Sequence, residues 1–188
     1  MPNTSLNSSK FHVRNLWWLL LAIVSIALDQ YTKQIATANL VYAEPVHVLP
    51  FLNWTLLHNY GAAFSFLSDA GGWQRYFFSA LAALVSIAFT IWLLRMPRKL
   101  KVLPLAIALI LGGALGNLID RVSLGYVVDF IHVYYQSYDF PAFNIADSSI
   151  TLGTILLLID TFFLEKYRTQ KMAEQIAGKN NTAQNNED

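Results

Sequence analysis

Two stretches of this chain, Phe77 to Leu94 and Val102 to Ile119, contain no charged residue. Each approaches the roughly 20 consecutive apolar residues that a helix needs to cross the hydrocarbon of a bilayer. In lipid every backbone N–H and C=O must be satisfied within the protein, and a single apolar segment achieves that as a helix. Two further runs extend the pattern. Leu16 to Leu28 is apolar and continues past Asp29 towards Ala38, and Ile145 to Leu164 is apolar apart from Asp147 and Asp160. The expected fold class is therefore a membrane all-α bundle of four transmembrane helices. Charge content agrees. Only 13% of the 188 residues are charged, against about 25% in soluble domains.

Basic residues set the expected orientation. Lys10 and Arg14 precede the first run, Arg95, Arg98, Lys99 and Lys101 join the second to the third, and Lys166, Arg168, Lys171 and Lys179 follow the fourth. The positive-inside rule then puts both termini and the 95–101 loop in the cytoplasm, and segments 39–75 and 122–144 outside. Trp17, Trp18 and Trp92 fall at inner helix ends and Trp54 and Trp73 in the first outer segment, as aromatic belts would. The organisation expected is a cytoplasmic segment 1–15, a membrane domain 16–168, and a polar, disordered cytoplasmic tail 169–188. A cleaved signal peptide ending near Ala36-Thr37-Ala38 is the rival for the N-terminus. Asp29, Gln30, Lys33 and Gln34 intervene before those small residues and weigh against it.

The outer segments have their own character. Val46-His47-Val48 and Phe51 to Leu57 are rich in β-formers, broken by Pro45 and Pro50. They predict short strands, a small extracytoplasmic β-rich element that must rest on something, since an isolated hairpin is marginal. Gly61 to Leu67 reads as a short apolar helix or lid on the membrane surface, and Asp69 to Gly72 as a turn. Segment 122–144 is aromatic, which suits an interface between water and acyl chains.

Charges near lipid need partners. Asp29 and Lys33 are four apart on one helix face, the spacing of an ion pair. Asp120 and Arg121 end the third run after Gly112-Gly113-Ala114-Leu115-Gly116-Asn117, whose small residues allow close helix packing. Adjacent side chains on a helix diverge, so these two reach different partners; Arg121 either joins a structural network or contacts a substrate. Asp160 lies about 20 Å along the helix from Asp147, on the inner side near Lys166 and Arg168.

Asp129 and Asp147 are left without evident partners, and burying an unpaired charge costs several kcal/mol or shifts its pKa. Asp147 has a structural explanation as a helix N-cap, and Asp129 as a solvated loop carboxylate. Taken together, two carboxylates within reach of each other share one proton and titrate as a unit. The ionised member can take a proton from water while the protonated member donates to a carbonyl, the division of labour in aspartic proteases.

Other chemistries have less support. The chain has no cysteine, which excludes disulfides, thiol nucleophiles and Cys-ligated metals. His12, His47, His58 and His132 lack metal-ligand spacing, so no metal or cofactor is expected. There is no G-x-S-x-G, and a Ser–Lys pair would need Lys33, which Asp29 engages. Without a P-loop or a basic surface, nucleic acid is not an expected partner. A small transporter or proton carrier, and a scaffold or lipid-binding subunit, stay open.

Five blocks occur in order: Asp29-Gln30-Tyr31-Thr32-Lys33, Asn59-Tyr60-Gly61-Ala62-Ala63-Phe64-Ser65, Gly113-Ala114-Leu115-Gly116-Asn117-Leu118-Ile119-Asp120-Arg121, Val127-Val128-Asp129-Phe130 and Phe143-Asn144-Ile145-Ala146-Asp147-Ser148. With these, residues 16–165 resemble the bacterial lipoprotein signal peptidases, or signal peptidase II. The resemblance implies an intramembrane aspartic peptidase of the inner membrane, active near the periplasmic face. It would cut prolipoproteins before a diacylglyceryl-modified cysteine. Asp129 and Asp147 match the catalytic dyad of that family. Asn59, Gly61, Asn117, Asp120, Arg121, Asn144 and Ala146 match positions lining or supporting its site, and Asp29 and Lys33 match a helix-1 motif read as a structural ion pair. The partners implied are a lipid-modified prolipoprotein, membrane lipids and globomycin-type inhibitors, with the chain a monomer. The strand-like segment 46–57 is a candidate to receive the extended substrate by backbone pairing, and Asn59, Asn117, Asn144 and Arg121 are candidates to orient its carbonyls.

Overall fold

The computed structural model describes residues 15–61, 71–97 and 100–171. Its elements are α1 (Leu16–Asn39), β1 (Val46–Leu49), β2 (Leu52–Asn59), α2 (Trp73–Arg95), α3 (Val102–Ser123), β3 (Val127–Tyr135), β4 (Tyr138–Asp139) and α4 (Ile145–Ile159). A π-helical turn at Asp160–Leu164 continues α4 to Lys171. Among the described residues three helices are long and apolar enough to cross a membrane: Trp73–Arg95, Val102–Ser123 and Ile145–Lys171. The fourth expected span, α1, has 24 residues, or about 36 Å of helix. Its C-terminal half carries Asp29, Gln30, Lys33 and Gln34, which dilute its apolar character, and it is not among the three.

The central helix is α3. Some 56% of its apolar window is buried, against 11% for α2 and for the 145–171 helix, so the other helices pack around α3 and leave much of their own surface outward. Glycines allow the approach. A Cβ on Gly112 would meet Ser25 and Ala22 of α1, one on Gly113 would collide with the Ala146 carbonyl of α4, and one on Gly153 would meet Ala106 and Ile110. Where α2 ends and α3 begins, Leu93, Met96 and Ile107 are buried together against Trp18, Leu19, Phe89, Leu103 and Leu157. The Asn15 amide donates to the Leu93 and Met96 carbonyls at 3.0 and 2.9 Å. It thereby satisfies acceptors that the end of α2 leaves open. Asp160 is buried and held by Arg168 through two bonds of 2.9 and 2.8 Å, so of the two expected neighbours Arg168 is the partner.

The β-rich element is larger than the sequence predicts. It is a four-stranded antiparallel sheet in the order β1-β2-β3-β4. The strand missed in sequence is β3, hidden in the aromatic segment 122–144. Its first half, Val127 to Phe130, is buried because it lies against α1 and α3 as well as β2. The predicted hairpin therefore rests on β3. That arrangement narrows one expectation. β1 pairs with β2 at Leu52 to Trp54 and β3 lies along the other side of β2, so the backbone of 52–54 is not open to a peptide, while β1 is an edge strand with β2 as its neighbour in the sheet. Gly71 and Gly72 form the turn before α2, with φ of +78° and +95°, a conformation suited to glycine. The lid expected over Gly61 to Leu67 lies outside the described residues beyond Gly61, as do Asp69, Arg98, Lys99, residues 1–14 and the tail from 172.

Replacing Gly113 by alanine is expected to lower stability by about 1–3 kcal/mol, because the new methyl group meets fixed backbone rather than a yielding side chain. The unfolding midpoint of the variant in detergent micelles checks this.

Candidate active site

Strand register brings the first carboxylate into place. Leu57 pairs with Asp129 and Asn59 with Val127. Asn59 is therefore a diagonal neighbour of Asp129 on the same sheet face. Its Nδ2 donates to Asp129 Oδ2 at 3.0 Å, while its Oδ1 accepts from the Gly61 N–H at 3.0 Å, which fixes the amide's orientation. Arg121 donates to the Gly61 carbonyl at 2.9 Å and stacks over Phe78, so it braces the end of β2.

The second carboxylate arrives through a helix cap. Phe143 pairs with Ile131 across a single bridge, which draws the chain back alongside β3 just before α4 begins. The next residue, Asn144, is extended at φ −134° and caps α4. Its Oδ1 accepts from the Asp147 N–H at 2.9 Å, and Asp147 Oδ2 accepts from the Asn144 N–H at 3.2 Å. Asp147 is thus the third residue of a capping box and not the cap itself. The Asn144 Nδ2, fully buried, donates to Asp129 Oδ1 at 2.7 Å and also lies 3.2 Å from the Val128 carbonyl and from Asn117 Oδ1. One asparagine therefore touches both aspartates, which line a single cavity of about 840 Å³.

Behind the cavity the remaining sequence-selected residues join one network. Asn117 donates to Asp147 Oδ1 at 2.8 Å and accepts from Lys33 Nζ at 2.9 Å. Lys33 also contacts Asp29 at 2.8 Å and Asp120 at 2.9 Å. Ala146, fully buried against Gly113, donates its N–H to Asp29 Oδ1. Asn59, Asn117, Arg121, Asp129 and Asp147 line the cavity; Asp29, Lys33, Asp120, Asn144 and Ala146 stand behind it. Asn144, expected to orient a substrate carbonyl, has its amide committed within the protein, and Asn59 and Asn117 each spend an N–H on a carboxylate. Gln30 has no site role predicted from sequence. It donates to Asp120 Oδ1 at 2.8 Å and lies 3.2 Å from the Gly116 carbonyl. The available signal was its place among the polar residues of an otherwise apolar helix. His58 stacks on Tyr126 at the cavity rim, a pairing that sequence spacing could not supply.

Electrostatics follow from burial. Asp129 is pushed up from 3.8 to about 7, first by desolvation, then by the charge of Asp147; hydrogen bonds from Asn59 and Asn144 and the charge of Lys33 oppose the shift. The folded protein therefore holds this proton more tightly than the unfolded chain. By the linkage sign, that contribution to stability is present below pH 3.8 and is lost as pH rises through about 7. Among the described residues no group of three His, Cys, Asp or Glu side chains could hold a metal ion.

A family model described as signal peptidase (SPase) II matches residues 21–163. The chain belongs to the signal peptidase II family. A lipoprotein signal peptidase of Acinetobacter baumannii is 74% identical over 170 residues, covering 89% of this chain and 97% of the relative. One from Shewanella woodyi is 56% identical over 77% of this chain and 82% of its own length. Among solved structures, a bacterial membrane enzyme determined by the in meso method superposes with a TM-score of 0.70 at 39% identity, covering 81% of this chain and 93% of the other. A second gives a TM-score of 0.69 at 37% identity. This signal peptidase II family member is therefore a peptidase, and its fold is similar to that of solved bacterial membrane enzymes.

Replacing Asn144 by alanine removes the cap of α4 and strips donors from buried carboxylates. A loss of about 2–3 kcal/mol is expected, read as a lower unfolding midpoint in micelles.

Proposed function

We propose that this peptidase is an intramembrane aspartic endopeptidase that removes the signal peptide of bacterial prolipoproteins, cutting before the diacylglyceryl-modified cysteine. The single observation that carries the reading is that Asp129 and Asp147, from a strand and a helix cap, line one cavity and share Asn144. Two buried carboxylates bonded to one residue, Asp129 by the Asn144 Nδ2 and Asp147 by the Asn144 backbone N–H, hold one proton between them at neutral pH. The ionised member takes a proton from a water as it attacks the scissile carbonyl; the protonated member donates to the carbonyl oxygen. As the tetrahedral diol collapses and the C–N bond breaks, the carboxyl that took the water proton passes it to the leaving amine, and a diol hydroxyl gives its proton to the other carboxylate, which leaves the pair singly protonated again. Arg121, at the cavity wall with one N–H committed to the Gly61 carbonyl, is the residue proposed to contact the substrate backbone.

The cavity has two kinds of wall. Aromatic rings at Tyr42, Tyr60, Phe140 and Phe143 lie at one end, and Leu152 and Ile155 run down α4 from Asp147 at the other. The distance from Asp147 to Ile155 along the helix is about 12 Å. That shape supports a substrate whose peptide is extended at the carboxylates while its apolar part continues towards lipid. We infer that α1 is the fourth membrane span, that both termini are cytoplasmic and that the site faces the periplasm of the inner membrane. The protein acts as a monomer on this reading, with globomycin-type cyclic peptides as inhibitors at the same cavity. Residues 1–15 and 169–188 are cytoplasmic segments flanking the membrane domain.

Asp129→Asn and Asp147→Asn should each insert normally and lose at least about a thousandfold in turnover. The check is cleavage of a lipidated prolipoprotein by purified enzyme, with and without globomycin, followed on a gel. Turnover near the parent value in either variant refutes the reading. Because Asp129 holds its proton up to about pH 7, kcat/KM should fall as pH rises through that value. Asn59→Ala removes a bond that favours the ionised form, and should move this alkaline limb to higher pH in the same assay.

A further inference from the structure

A carboxylate–ammonium–carboxylate bridge lies behind the cavity and contributes nothing to its walls. Lys33 Nζ stands 2.8 Å from Asp29 Oδ2, 2.9 Å from Asp120 Oδ2 and 2.9 Å from Asn117 Oδ1. An ammonium has three N–H donors, so its capacity is filled. Lys33 is 3% exposed, Asp29 0% and Asp120 3%, which places the whole bridge out of contact with water.

The second bond of each carboxylate gives the bridge its meaning. Asp29 Oδ1 accepts the N–H of Ala146 at 2.8 Å, and Asp120 Oδ2 accepts the N–H of Val128 at 3.0 Å. Ala146 immediately precedes Asp147, and Val128 immediately precedes Asp129. The third donor of Lys33 reaches Asp147 itself through one amide, since Asn117 Nδ2 lies 2.8 Å from Asp147 Oδ1. Neutralising Asp29 would require only the pair within α1. The additional contacts lead to the two backbone segments that carry the cavity carboxylates.

We propose that Lys33 is the positioning residue of the aspartate pair: one buried ammonium sets the separation of the segments bearing Asp129 and Asp147, and through the Asn117 amide orients the Asp147 carboxylate. This rests on the aspartic reading above. A purely stabilising role is the lesser explanation, because buried ion pairs add little net stability once desolvation is counted. The charged and titratable groups around the pair are Asp29 and Lys33 from α1, Asp120 and Arg121 from α3, and His58 from β2, which also contributes the neutral Asn59. Lys33 opposes the upward push on Asp129, so its removal carries a pH signature that simple loosening of the fold lacks.

The test uses the full-length protein purified in lipid–detergent micelles, with kcat and KM for a lipidated prolipoprotein measured from about pH 5 to about pH 9. Lys33→Met should lower kcat about a hundredfold, leave KM within about twofold, and move the alkaline limb to higher pH. Where Lys33→Met fails to fold, Asp29→Asn/Lys33→Gln decides, because it removes one charge of each sign and keeps the net charge behind the pair. That variant should also lose kcat, with a smaller movement of the limb. A folded variant with near-parent kcat, a Lys33→Met limb that does not move, or failure of both variants to fold overturns the proposal. Asp147→Asn is run alongside. If it keeps turnover, the aspartic reading falls; if it is inactive while Lys33→Met behaves as the parent chain, this inference alone falls.

Discussion

A lysine ammonium buried to 3% exposure and bonded to three oxygens is the constraint around which this molecule is arranged. Removing ions from water costs several kcal/mol each, and only close, complete coordination offsets that cost. Coordination here requires α1 and α3 to meet at one point, and through Asp29 and Asp120 it draws in α4 and β3. The approach is possible because α3 has no side chain where it crosses its neighbours. A Cβ on Gly116 would sit 2.6 Å from Asp29 Oδ2. Small residues and buried charge are thus one design: the glycines allow the contact, and the charges fix which contact is made.

The cavity carboxylates are products of two different kinds of local structure. Asp129 is placed by strand register, with Asn59 across the sheet. Asp147 is placed by a helix start, with Asn144 as the cap. The short bridge between Ile131 and Phe143 joins these two systems, since it brings the residue that caps α4 up to the strand that carries Asp129. A buried amide that serves a helix cap and a strand carboxylate at once couples their positions more tightly than either element could alone.

Hydrolysis within a membrane protein needs polar groups held away from lipid yet open to water. On the function proposed above, the sheet and the aromatic loop before α4 supply that setting at one end of the helices, while the far end is closed by the apolar cluster of Leu93, Met96 and Ile107. The high affinity of Asp129 for its proton arises from the same seclusion, because desolvation is the largest influence on it. Membership of the signal peptidase II family extends over residues 21–163, which include the whole of this network.

Much was legible in the sequence. The uncharged runs at 77–94 and 102–119 became α2 and α3, and the Asp29–Lys33 spacing became a real contact, because hydrophobic periodicity and i,i+4 geometry are properties of a single segment. The two aspartates could be singled out because a carboxylate in an apolar run is costly wherever the chain goes. Strand β3 was not read, although Val127 to Tyr135 is rich in β-branched and aromatic residues, because its partner β2 lies far away in sequence. Nor could sequence tell that Asp147 sits inside a capping box rather than at its head, or that Lys33 reaches Asp120 and Asn117. What the sequence alone determined was which segments are apolar and which charges are expensive. Which of those charges meet was decided only by tertiary packing, since a long-range contact depends on the relative placement of several segments and no single segment encodes it.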